Sequence, residues 1–335
     1  MSPGWPCILV SMICGAVILF VPLPYSVGRM IAASSRPPAA LIINPNAGGL
    51  SAHLHEEVID ALRERFDLEA RSTTGRDSAT GIAAELVARG FPLVIAFGGD
   101  GHVNEVVNGV AGSDAVLGLI PGGTMNVFAR ALGLPMDPLQ AVGRLGEAAG
   151  TRPRTVPLGR MDDRLFTFSA GCGFDAEAAE RVERYVPVKR HLGELFFYWS
   201  AFRVLAGSYR HRSPAMELRG SFGAIPVAMA IACNAGPYAY LAGLPITLAP
   251  EVKLEGGLDV FALRKMRIEA LPSYIWGSVV SGRVSGHSDA FYANDLQSFE
   301  VVSERPFARH VDGEPLVSSS NAKFTLVRDA LKVYA

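Results

Sequence analysis

Short apolar runs alternate with stretches of helical spacing through the first half of the chain. Residues 39–43 are continuously apolar behind Pro37 and Pro38 and predict a buried strand. Residues 51–65 place Leu54, Val58, Ile59 and Leu62 at helical spacing. A second strand is predicted near residues 68–72, then a helix over 77–89 with apolar Ile82, Leu86 and Val87. Residues 92–97 read as a buried strand, 103–110 as a helix, 116–120 as a strand and 127–132 as a helix. Strands alternating with helices argue for a parallel sheet covered on both faces.

The second half is patterned differently. Between residues 151–175 and 215–265, short apolar runs at 165–168, 225–233 and 258–263 are broken by Gly, Pro and polar residues. That spacing predicts a β-sandwich. Residues 177–212 read as helical and basic, with Arg181, Arg184, Lys189, Arg190, Arg203, Arg210 and Arg212 against Glu183 and Glu194. An aromatic run stands at 196–199. Such a segment suits an anionic membrane surface, or a solvated helix whose aromatics face the core.

Composition narrows the classes. A chain of 335 residues suggests two domains. With 49% hydrophobic residues it is not a disordered chain. Lys+Arg 31 against Asp+Glu 32 gives a net charge of −1, which excludes a global nucleic-acid-binding field. The cysteines Cys7, Cys14, Cys172 and Cys233 are too sparse for a disulfide framework and lack metal-ligand spacing. Residues 7–24 are apolar, with no charge before Arg29. Three readings stay open for them: a membrane anchor with the rest of the chain cytoplasmic, a signal peptide, or a mis-called start ahead of Met30.

Candidate chemistry gathers in three turns, each after a predicted strand. They are Asn44-Pro45-Asn46-Ala47-Gly48-Gly49, Gly98-Gly99-Asp100-Gly101-His102, and Pro121-Gly122-Gly123-Thr124-Met125-Asn126. Ligands of open α/β sheets bind beyond the carboxyl ends of the strands. Glycine lets a phosphate approach the backbone, and helix N-termini supply N–H groups. Three such turns together make a polyphosphate site, with neither the P-loop nor the dinucleotide fingerprint present. Asp100 can hold a nucleotide-bound Mg²⁺ or polarise a hydroxyl. Backbone groups of Gly98, Gly99 and Gly101 can cradle phosphate. Asn104 and Glu105 open the next helix as cap or ligand. Gly122, Gly123, Thr124 and Asn126 offer further phosphate and nucleoside contacts.

These turns resemble the catalytic domain shared by diacylglycerol kinases, sphingosine kinases and related bacterial lipid kinases. Further matches lie at 171–182, 255–263 and 311–316, so the resemblance covers nearly everything from residue 37 onward. It implies a phosphofructokinase-like α/β nucleotide-binding domain followed by a β-sandwich, with the chain end returning to the first domain. The implied division is 1–36 as an apolar segment, 37–160 as the ATP-binding domain and 161–335 as the lipid-substrate domain. The resemblance implies ATP and Mg²⁺ as cofactors and a diacylglycerol-like membrane lipid as acceptor. It implies action at the inner face of the membrane, peripherally or through the N-terminal anchor. A homodimer is left open. Asn44, Asn46, Thr74 and Asp77 fall near the implied nucleotide pocket, with Asp77 equally suited to cap a helix. Glu314, in Asp312-Gly313-Glu314, matches the family's general base.

Three positions depart from the family pattern. His102 stands where Thr is common. Val127 and Glu255 stand where bacterial members carry the Asp residues of a structural magnesium network. Val127 has no oxygen to offer, which puts that second metal, and Glu255 as its ligand, in doubt. The alternatives to a lipid kinase are a nucleotide-binding member with weak or no kinase activity, and a kinase of a soluble acceptor such as NAD.

Overall fold

Five parallel strands carry the first half. The structure is a computed structural model and describes residues 36–45, 51–184, 216–241, 243–282 and 284–335. Strand β1 (Pro38–Ile43) pairs with β2 (Asp67–Ser72) on one side and β3 (Leu93–Gly98) on the other; β4 (Val116–Pro121) follows β3. Helices α1 (Ala52–Arg65), α2 (Ser78–Ala88), α3 (Asp100–Val110), α4 (Val127–Ala131) and α5 (Pro138–Ala148) connect and cover them. The strands alternate strictly. Ala40, Ile42, Val94 and Ala96 pack with α2 and α3, while Leu41, Ile43, Ile95 and Phe97 pack with α1 and α5. Both faces are therefore buried, which explains the unbroken apolar runs.

The second half is antiparallel. Strands β5 (Arg154–Met161), β6 (Arg164–Phe166) and β7 (Ser169–Gly173) precede α6 (Phe174–Arg184). Then come β8 (Met216–Gly220), β9 (Gly223–Val227), β10 (Met229–Cys233), β11 (Ala239–Leu241), β12 (Leu244–Ile246), β13 (Leu258–Leu263), β14 (Ala290–Leu296), β15 (Ser298–Val311) and β16 (Glu314–Val333). The sandwich core includes Phe166, Cys172, Leu218, Val260, Phe299, Val301 and Phe324. Strand β15 serves both layers. Its residues 300–303 pair with β8, and Arg309–Val311 pair with β7, with the register shifting between. Pro306 lies in that irregular stretch, where no ladder N–H is required.

The last strand closes the architecture. Lys332 and Val333 of β16 pair in parallel with Val116 and Leu117 of β4. The chain end thus returns to the first sheet, and the β15–β16 hairpin hangs its turn over the first half.

Several boundaries differ from the sequence reading. The helix expected at 103–110 starts at Asp100, because Gly99 already serves as its N-cap. The apolar run 225–233 is two strands. Strand β9 pairs with β8 while β10 pairs with β7 and β13, and the Ala228 amide between them bonds Leu263 O instead. Strand β5 runs across the boundary expected at residues 160 and 161. Helix α5 has no counterpart in that reading, although Asp137 caps it and Pro138 opens it. Of the basic segment, only the part within α6 is described. Lys189, Arg190 and the aromatic run lie outside the described residues, as do residues 7–24 and Asn46. Among the described residues no helix is long and apolar enough to cross a membrane.

Candidate active site

Two glycine turns stack backbone on backbone at the ends of β3 and β4. The Gly122 amide donates to Gly98 O at 2.9 Å. A Cβ on Gly123 would lie 2.6 Å from Gly99 Cα, so neither turn has room for a side chain there. Asn126, at φ 48°, locks the second turn. Its Nδ2 donates to Gly123 O at 2.8 Å, and its Oδ1 accepts from the Gly123 amide at 2.9 Å. The side chain of Asn126 is thus occupied within the turn, whereas Thr124 is exposed at its tip. Asn44 joins the same edge through its amide, which donates to Phe97 O at 3.2 Å.

His102 requires a correction. Its ring is buried and turned into the core, with Nε2 3.0 Å from Ile42 O. Burial pushes its pKa below the usual histidine range. The neutral ring donates to that carbonyl and does not face the phosphate turns. The Thr-to-His departure therefore leaves the cradle's backbone chemistry intact.

Asp100 opens α3 and faces the start of α4, whose Phe128 amide lies 3.5 Å from Oδ1. Packed atoms desolvate its carboxyl, and the nearby Asp312 charge adds to that. Together they push it up to about 6, against the backbone amides of Phe128, Val127 and Asn126. Asp312 is the feature that the sequence reading passed over. Its carboxylate accepts from Asn104 Nδ2 (2.7 Å), Thr167 N and Oγ1 (both 2.8 Å), Phe168 N (3.0 Å) and Ser169 N (3.1 Å). Burial still drives it above the usual carboxylate range, opposed by those donors.

Asp312 and Gly313, at φ 47° and 82°, form the two-residue turn of the β15–β16 hairpin. Both central residues of such a turn need positive φ, which Asp and Gly tolerate. The turn delivers Glu314 directly over Gly101, where a Cβ would collide with Glu314 Oε1. Gly101 is thus glycine to admit this carboxylate beside Asp100. Arg76, unmarked by the sequence reading, reaches Glu314 at 3.7 Å and the Pro315 carbonyl at 3.5 Å.

Asn104 and Glu105 have structural assignments. Fully buried Asn104 bridges the halves: Nδ2 also donates to Leu165 O at 2.9 Å, and Oδ1 accepts from Arg164 Nε at 3.1 Å. Glu105 caps a neighbouring helix. Its two oxygens accept from the Asp77 and Ala79 amides, each at 2.9 Å, at the start of α2. Asp77 sits at the N-cap position with φ 61° and makes no side-chain cap bond, so its expected capping is corrected. Thr74 and Asp77 are exposed on the loop before α2. Glu105→Ala orphans two buried-end amides. It is expected to destabilise the protein by about 1–3 kcal/mol, read as a drop of a few °C in Tm. Glu105→Gln, which keeps one acceptor oxygen, should recover part of it. Unchanged melting in both variants would remove this capping role.

Glu255 is also corrected as a metal ligand. Its exposed side chain is ion-paired with Arg154. Val127 is wholly buried in the core. Among the described residues no group of three or more His, Cys, Asp or Glu could hold a metal ion.

The diacylglycerol kinase catalytic domain family matches residues 38–167. A diacylglycerol kinase of Bacillus subtilis (strain 168) is 32% identical over 237 residues, covering 69% of this chain and 75% of the relative. The chain belongs to the diacylglycerol kinase catalytic-domain family. A Pseudomonas putida protein named "Probable lipid kinase YegS-like" is 28% identical over 292 residues, 84% of this chain and 91% of that one. Among solved structures, a diacylglycerol kinase from Bacillus anthracis str. Sterne aligns with a TM-score of 0.68 and 25% identity. It covers 90% of this chain and 98% of its own. Membership in this diacylglycerol kinase family extends beyond the matched domain, because the structural likeness runs through the sandwich and the returning β16.

Proposed function

We propose that the protein is an ATP-dependent lipid kinase that transfers the γ-phosphoryl group of ATP to the hydroxyl of a diacylglycerol-like membrane lipid. The observation that carries this reading is the meeting of Asp100 and Glu314 at the stacked glycine turns. Phosphoryl transfer is mainly positioning and charge neutralisation. Backbone N–H groups at Gly98–Gly101 and Gly122–Thr124, with the positive end of α3, supply the phosphate cradle. Asp100 is a desolvated oxygen donor beside one other carboxylate. That donor set fits Mg²⁺, which takes one or two protein carboxylates plus phosphate oxygens. When bound, the ion would offset the charge of the β- and γ-phosphates. Glu314 accepts the proton of the acceptor hydroxyl, and Arg76 orients its carboxylate from the loop before α2. The reading carries with it peripheral action at the cytoplasmic face of the membrane.

The test is incubation of the purified full chain with labelled ATP and Mg²⁺, offered diacylglycerol, other hydroxyl lipids and NAD separately. A labelled lipid phosphate is expected. Label appearing only in phosphorylated NAD, or in no acceptor at all, would overturn the assignment.

A further inference from the structure

A buried chain of polar groups leads away from the catalytic turn to an apolar cavity. It starts at the Gly313 amide, which donates to His310 Nδ1 at 3.3 Å. That bond leaves the ring hydrogen on Nε2, which meets Asp175 Oδ2. The other oxygen, Asp175 Oδ1, accepts from Tyr238 OH at 2.6 Å. His310 is 1% exposed and Asp175 7% exposed. Gly171 of β7 makes room for the pair, since a Cβ there would strike both side chains. None of these three residues touches the phosphate turns.

Tyr238 forms part of the wall of a cavity of about 370 Å³, with Pro237, Leu248, Val252, Leu254 and Ala131. That volume falls in the ~300–1,000 Å³ range of small-molecule sites. Ala131 is the last residue of α4, a five-residue helix that begins beside Asp100. At 1.5 Å per residue, α4 separates cavity and phosphate turns by only about 8 Å.

We propose that this cavity takes the apolar, acyl part of the lipid acceptor, and that Tyr238, Asp175 and His310 are positioning residues that couple its filling to the placement of Glu314. The proposal rests on the lipid-kinase reading for its ligand class. An acyl chain against the Tyr238 ring fixes its hydroxyl on Asp175. Asp175 then holds the His310 ring, and His310 holds the amide that fixes the turn. Short acceptors that leave the cavity empty lack this support.

The experiment reads the coupling directly. Amide hydrogen exchange of the segment spanning residues 310–316 is measured in the full chain, with and without dioctanoylglycerol. The ligand is expected to slow exchange in the wild type and to have no such effect in Tyr238→Phe. The same variant should lose about 10–100-fold in kcat with diacylglycerol, the range that misplacement of a reacting group produces, while its KM for ATP is unchanged. Thr247→Trp, which fills the cavity from its rim, should raise the KM for diacylglycerol and leave that for ATP alone. Tyr238→Phe removes one hydroxyl from a half-buried ring, so it folds even if His310 variants do not. Equal slowing of exchange in wild type and Tyr238→Phe, or wild-type kcat in that variant, overturns the coupling. A wild type that shows ligand-dependent exchange but phosphorylates no lipid refutes the kinase reading and leaves the coupling standing.

Discussion

Glu314→Gln is expected to lower turnover by about 10²–10⁴-fold, the usual worth of a general base, while ATP affinity is nearly unchanged. The substitution keeps the size of the side chain and one carbonyl oxygen. It removes the oxygen that accepts the proton of the acceptor hydroxyl. Glu314 reaches the site on a two-residue turn whose first residue, Asp312, is fixed by five hydrogen bonds. Its carboxylate rests over Gly101, at the start of the helix that Asp100 opens. The competing assignment makes Asp100 the base and Glu314 a turn residue. Turnover and ATP affinity of Glu314→Gln and Asp100→Asn, measured side by side, separate the two. If Glu314→Gln turns over like wild type while Asp100→Asn binds ATP and does not, the base is Asp100.

The parallel sheet was legible because its strands are buried on both faces, so each is an unbroken apolar run ending in a glycine turn. Residues 39–43 and 92–97 show this directly. The turns were legible because glycine is needed where Gly99 and Gly123 touch backbone to backbone. The sandwich was legible only coarsely. Its register depends on β15 changing partners midway, and no local pattern marks that shift. The polar residues of the site divide the same way. Asp100 and Glu314 stand in glycine-flanked turns and announce themselves. Asp312, Asn104 and Glu105 were read only as motif members or possible ligands, because their partners lie far along the chain. Asp312 bonds Thr167, Phe168 and Ser169 across the sheet. A signal for Asp312 was present, since an Asp-Gly pair between two apolar strands predicts a hairpin turn. What the turn's carboxylate would bond was not readable. His310 and Asp175 stood in no motif, and their partnership through Gly171 is visible only in three dimensions.

Asp100→Asn should abolish useful turnover and yet make the protein free of nucleotide and divalent cation more stable above pH 6. A lost electrostatic contact to the transferring phosphoryl group costs at least about 10²–10³-fold in rate. The stability gain follows from linkage. In the folded protein the carboxyl titrates at about 6, raised from 3.8 by burial and by Asp312. An acid whose folded pKa lies above its unfolded value binds more protons folded than unfolded between those two values. Stability therefore falls as pH rises from about 4 to about 6, and the full penalty stands above that window. A shift of this size corresponds to on the order of 1–3 kcal/mol, because Asp100 keeps some contact with solvent at the cleft. Asparagine has nothing to ionise, so the penalty disappears. The Tm of Asp100→Asn should exceed that of wild type by a few °C at pH 7–8, and the two curves should converge as pH falls towards 4. Saturating Mg²⁺ and ATP should narrow the gap at pH 7, because wild type alone then gains a cation beside its carboxylate. Melting curves across pH 4–8, with and without Mg²⁺ and ATP, decide the matter. A variant no more stable than wild type at pH 8 would mean that Asp100 is not a strained buried charge, and its role as the metal-holding group would lose its physical basis.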